Sequence, residues 1–207
     1  MVNGSLTGTP LRAGEPMSDK SKIEKPVTEG PMTEKPVAEE PMAQEAMTDD
    51  TPFRHQRGGI YFDDFVIGRL YRHRLTRTVT LMDNMLFSNM TLNPQPLHID
   101  RHFCEQETEW GKPLMNSLFT LGLMIGISVN DLTVGTTIAN LGMTEVKFPH
   151  PLFENDTVHC TTEVMGKRES NSRPGAGIVE FYHRAYNQDG KLVAECHRQA
   201  FMRMRPR

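Results

Sequence analysis

Hydrophobic and polar positions along this 207-residue chain change character near residue 57. Aromatic and β-branched residues appear at Arg57-Gly58-Gly59-Ile60-Tyr61-Phe62, and globular patterning begins there. Val66–Val79 reads as a strand broken by basic residues. Thr80 or Asp83 can cap a short helix from Met82 to about Met90. Its apolar positions Met82, Met85, Leu86 and Met90 recur at intervals of three and four. Pro94 and Pro96 end that helix and stiffen the loop that follows, since each fixes its own φ and restricts the residue before it. Asp100 can cap another short helix to about Glu107. Leu114, Leu118, Leu121, Met124, Ile125 and Val129 then recur at helical spacing. Apolar residues surround nearly this whole segment, which predicts a buried helix starting near Asn116 and Ser117. Gly122 and Gly126 within it are read as close packing under a sheet.

After Gly135 the pattern turns to strands: Thr136–Phe148, Asp156–Arg168, Ile178–Tyr186 and Lys191–Met204. In the second of these, Val158, Cys160, Thr162 and Val164 fall on one face. Phe148-Pro149-His150-Pro151 reads as a turn or bulge, with no chemistry given to His150. Ser170–Ala176 is a Pro/Gly loop. Asn187-Gln188-Asp189-Gly190 signals a hairpin, because Asp-Gly supplies the positive φ that tight turns need. A strand, short helices, one long buried helix and four antiparallel strands predict an α+β domain with the sheet wrapped around the helix.

Residues 1–55 differ. They hold seven of the fourteen prolines and carry a degenerate ten-residue repeat, Ile23–Met32 followed by Thr33–Met42. Proline at every fifth position blocks helix and ladder alike. The large apolar groups are too few to offset the ordering entropy, so residues 1–57 read as a disordered tail and 58–207 as the folded domain. Residues 1–55 have a net charge of −4 and residues 56–207 of +1, so the folded part gives no reason to expect nucleic acid or an anionic membrane as partner. Cys104, Cys160 and Cys196 form no CxxC pair, so neither zinc nor thiol-redox chemistry is expected. The longest apolar run, near Leu118–Val129, is too short to span a bilayer. The N-terminus has no apolar stretch behind a basic start, and it is too acidic for a transit peptide. A cytoplasmic location is expected.

The stretch from Phe87 to Asp100 carries the chemistry. Phe87, Asn93, Gln95 and Pro96-Leu97-His98 resemble the MaoC-like hydratase/dehydratase signature, in which an aromatic residue precedes Gly-Asp-x-Asn-Pro-Leu-His. Arg77-Thr78-Val79, Pro113-Leu114-Met115-Asn116-Ser117, Ala139-Asn140-Leu141-Gly142, Ser170–Pro174 and Asn187–Gly190 extend the resemblance over about residues 58–207. They are similar to the branch that includes mesaconyl-CoA hydratase (β-methylmalyl-CoA dehydratase). The resemblance implies a single hot-dog domain that pairs as a homodimer or higher homo-oligomer. It also implies reversible hydration of a short, branched dicarboxylic 2-enoyl-CoA such as mesaconyl-CoA or itaconyl-CoA. No separate cofactor is needed, because CoA is part of the substrate.

By the same resemblance His98 is the acid/base and the Ser117 amide is the donor to the thioester oxygen, where the family has a glycine amide. Asn93 stands where the family has its catalytic Asp. Asparagine cannot take a proton, so it could only orient water or a carboxylate; the branch that the chain resembles also has Asn there. Gln95 and Asn116 are expected to touch substrate, and Arg173 to clamp a phosphate or carboxylate with its planar guanidinium. Asp83 and Asp100 are the candidates for a second carboxylate, each with a simpler role as a helix cap. His98 and His102 lie four apart, but no third ligand is spaced to join them around a metal. Two rival functions remain. A hot-dog thioesterase would need a carboxylate or water-activating base at the helix, which Asn116-Ser117 does not offer. A non-catalytic acyl-CoA-binding protein is suggested by Asn93.

Overall fold

The computed structural model describes residues 52–207. Of the tail predicted as residues 1–57, residues 1–51 lie outside the described residues. After a short 3-10 turn at Phe62–Asp64, ten helices and strands follow in order: β1 (Leu70–Arg72), β2 (Arg77–Thr78), α1 (Leu81–Met90), α2 (Pro96–Ile99), α3 (Arg101–Glu107), α4 (Ser117–Leu132), β3 (Thr137–Lys147), β4 (Thr157–Glu169), β5 (Ala176–Tyr186) and β6 (Leu192–Arg203). The antiparallel sheet runs β1-β4-β5-β6-β3, and β2 also pairs with β4. It wraps one long helix, α4, which is the α+β hot-dog arrangement expected. No helix among the described residues is long and apolar enough to cross a membrane.

The alternation read on β4 is observed. Val158, Cys160, Thr162 and Val164 are all buried and face α4. Met124 and Ile127 of α4 pack with Val158, Cys160 and Cys196. One end of the helix places Leu132 against Phe65, Val164, Phe181 and Met202. Each such side chain contributes about 1.5–3 kcal/mol by leaving water. Between the two apolar clusters a polar row crosses the sheet. His73 Nε2 lies 2.7 Å from Thr162 Oγ1, and Thr162 Oγ1 lies 2.8 Å from His183 Nδ1. Arg198 continues the row on β6, where its Nε–H donates to Asn140 Oδ1 at 3.2 Å.

The helix caps fall where the sequence placed them. Thr80 and Asp83 form a reciprocal capping box on α1, and Asp100 accepts from the Phe103 amide at 3.0 Å. In the hairpin, Gly190 has φ 74°, and Asn187 Oδ1 accepts from the amides of Asp189 and Lys191.

Four expectations change. The Val66–Val79 strand is two short pieces, because residues 73–76 stand opposite only His159 and Cys160 between the paired positions; the bulge turns His73 into the core. Residues before Gly58 also take part in the fold. Arg54 bridges to Ile60, and its guanidinium donates to the Asp131 carbonyl at 2.8 Å. Gly59 passes so close to Val134 that a Cβ would lie 2.4 Å from the Val134 oxygen. Gly122 and Gly126 do not pack under the sheet; both are exposed, with open space where a Cβ would sit. Finally, α1 buries the opposite face from the one its methionines suggested. Met82, Leu86 and Met90 are 61%, 54% and 82% exposed, while Asn84 and Ser88 are fully buried.

Candidate active site

The buried Asn84 explains the inverted helix. Its Nδ2 donates to the His98 carbonyl at 2.7 Å and to the Leu114 carbonyl at 2.9 Å. Its Oδ1 accepts from the Asn116 amide at 2.8 Å. One carboxamide therefore ties α1 to the histidine turn and to the start of α4. A buried carbonyl or amide left without a partner costs about 1–3 kcal/mol, so the polar face of α1 turns inward. The sequence reading missed Asn84. A lone asparagine between apolar positions of a predicted helix is the available signal.

His98 sits in α2, a single turn whose first residue is Pro96, and it is buried. The Leu114 carbonyl can only accept, so His98 Nδ1 donates to it across 2.8 Å, and this contact fixes the tautomer. Nδ1 carries the proton. Nε2 keeps its lone pair and has no partner among the described residues. The Leu114 oxygen thus holds both Asn84 and His98. Leu114 is itself fixed by its amide, which donates to the Leu97 carbonyl at 3.0 Å, and by a bridge to Phe153.

Two residues beyond Met115, Ser117 opens α4. Its amide has no acceptor among the described residues, as the first turn of a helix leaves its N–H groups free. The positive end of the helix dipole adds to the pull on an oxyanion there. Ser117 and Leu114 both line a cavity of about 210 Å³ with Leu152, Val193, Trp110 and His150. The structure therefore brings His98 and Ser117 to the two ends of one short segment.

The other candidate residues are placed differently. Asn93 is half-buried and its Oδ1 accepts from the Gln95 amide at 3.1 Å, shaping the turn into α2. Gln95 is exposed, and its carbonyl accepts from the His98 amide at 3.1 Å. Asn116 is buried as the N-cap of α4, accepting from the Leu118 amide at 3.0 Å. Asp83 and Asp100 are both engaged as caps. His102 lies in α3, across the break at Asp100 from His98, so the two do not share a helix face.

Arg173 is not with them. It lies in the β4–β5 loop, its guanidinium 5.9 Å from the Phe201 ring centre. It lines a groove of about 930 Å³ with Tyr61, Ile138 and Arg203, at the C-terminal end of α4. The helix has sixteen residues, which sets roughly 24 Å between its ends.

The chain is 28% identical over 153 residues to the mesaconyl-CoA hydratase of Cereibacter sphaeroides, matching 71% of this chain and 42% of that protein. The chain thus spans less than half the length of this relative. A monoamine oxidase regulatory protein from Archaeoglobus superposes with a TM-score of 0.63 at 32% identity, over 72% of this chain and 97% of the other. A Mycobacterium tuberculosis protein with a double hot-dog fold superposes at 0.66 and 25% identity, over 73% of this chain and 46% of the other. The MaoC like domain matches residues 64–181. With more than half of its length matched in this way, the chain belongs to the MaoC-like domain family.

Proposed function

We propose that this protein hydrates and dehydrates a short 2-enoyl-CoA/3-hydroxyacyl-CoA pair, with branched dicarboxylic acyl groups such as mesaconyl or itaconyl as the substrate class. The observation that carries the reading is the fixed tautomer of His98. Its Nδ1–H is spent on the Leu114 carbonyl, which leaves Nε2 as a base beside the segment that opens α4. In the hydration direction Nε2 takes a proton from water as the oxygen adds to the β-carbon. The electron pair of the double bond moves toward the thioester oxygen, where the Ser117 amide donates. Such a preorganised donor is worth about 3–4 kcal/mol in other enzymes. The proton on Nε2 then passes to the α-carbon, and His98 returns to its starting state.

Asn93 holds the turn and orients water with its free Nδ2–H groups. Asn116 holds the helix start, and Gln95 faces the solvent side where substrate arrives. Strand β3 is one edge of the sheet and carries the exposed Leu141 and Val146. An open edge of this kind is a template for pairing. A second copy there would give a homodimer with two hot-dog domains side by side, and Arg173 would reach a CoA phosphate only as a contribution to a second subunit's site.

The test is loss of enoyl-thioester absorbance with crotonyl-CoA, mesaconyl-CoA and itaconyl-CoA, comparing wild type with His98→Ala. Absorbance that falls without thiol release, and at least 100-fold more slowly in the variant, is expected. Thiol release would mean a thioesterase. Tight binding of the esters without turnover would mean a non-catalytic acyl-CoA-binding protein.

A further inference from the structure

The cavity beside Ser117 has a floor and a mouth of different chemistry. Its floor is apolar: Met115, Leu152 and Val193 are 2%, 3% and 1% exposed. Thr120 closes one side, its hydroxyl already donating to the Asn116 carbonyl at 3.2 Å. The mouth is formed by Trp110 and by the Phe148–Pro151 bend. Among the described residues that line the cavity, His150 has the only ionisable side chain. It lies between Pro149 and Pro151, each of which fixes its own φ, so the imidazole is carried on a stiff piece of chain.

We infer that this cavity receives the acyl group and that His150 is the specificity-determining residue for acyl groups ending in a carboxylate. The inference rests on the hydratase reading above and names the substrate class of the same site. Three features support it. Ser117, whose amide the hydratase reading assigns to the thioester oxygen, lines the cavity. At about 210 Å³ it has room for a four- or five-carbon acyl group but little beyond. A carboxylate cannot be buried against Leu152 and Val193 without a cation or donors, since an unpaired buried charge is strongly unfavourable. It must therefore stay at the mouth, and the imidazole of His150 is the group there that can donate a hydrogen bond to it. Trp110 and Phe148, each 37% exposed, form the apolar lip over which the chain passes.

The experiment measures equilibrium binding by titration calorimetry alongside turnover. It uses crotonyl-CoA, mesaconyl-CoA and trans-2-octenoyl-CoA with the full-length wild type and with His150→Gln. Wild type should bind octenoyl-CoA at least tenfold more weakly than crotonyl-CoA. The His150→Gln change should lower the preference for mesaconyl-CoA over crotonyl-CoA at least tenfold, both in Kd and in kcat/KM. A preference that stays within twofold overturns the role of His150, and so does an equal loss with both esters. Octenoyl-CoA bound as tightly as crotonyl-CoA overturns the assignment of the cavity. A selectivity in Kd that depends on His150, without turnover of any ester, would sink the hydratase reading and leave the acyl site standing. An absence of binding by all three esters overturns both.

Discussion

Replacing Asn84 by alanine tests the link between fold and site most directly. The side chain makes three hydrogen bonds inside the protein, to the His98 carbonyl, the Leu114 carbonyl and the Asn116 amide. Truncation leaves the Leu114 oxygen with its His98 partner but strips these contacts from the His98 carbonyl and the Asn116 amide. At about 1–3 kcal/mol for each of the two groups left unsatisfied, the loss should be roughly 2–6 kcal/mol. That is a large share of a typical total of about 5–15 kcal/mol. Urea unfolding should show a lower midpoint with an unchanged m-value. Asn84→Asp should cost at least as much, because it replaces a donor to two carbonyls by an acceptor. Hydration should slow in both variants, since His98 and Ser117 lose the side chain that registers one against the other. A loss below about 1 kcal/mol with unchanged turnover would refute the reasoning.

Two other buried groups give predictions of their own. Burial pushes His183 down to about 3, with Arg198 and His73 adding to the effect, so it stays neutral in the fold. An unfolded histidine takes its proton near 6.5, so the stability this group supports is complete above that pH and is lost as pH falls toward 3. By pH 5 about 2 kcal/mol should be gone; His183→Gln should flatten this limb in urea midpoints at pH 7 and 5, and parallel slopes would contradict it. Arg198 is 4% exposed, makes no ion pair with an acid of the described chain, and has an Nη1 without a partner. Arg198→Met should leave Tm unchanged or raise it, because a buried charge without a counter-charge is costly and the apolar side chain removes that cost. A fall of several degrees, together with a change in oligomeric state by sedimentation, would show instead that a second copy supplies the counter-charge.

Much of this architecture is set by interactions within a few residues of one another, and those parts were legible in the chain alone. The caps at Thr80, Asp100 and Asn116 depend on a side chain reaching an amide two or three positions on. The β4 alternation depends on the pleat, and the Asn187–Gly190 hairpin on one positive φ. His98 and Ser117 stood out because their motifs resemble a family. Only the tertiary structure decided which face of α1 is buried. Spacing favoured its methionines, but the carbonyls of His98 and Leu114 arrive from distant segments and require the donor that Asn84 provides. The same holds for Arg173, which sheet topology carries to the far end of α4, and for His150, which a bend in the chain brings to the cavity at Ser117. Periodicity reports the average polarity of a face, whereas the pairing of a particular buried donor with a particular acceptor depends on where the rest of the chain comes to lie.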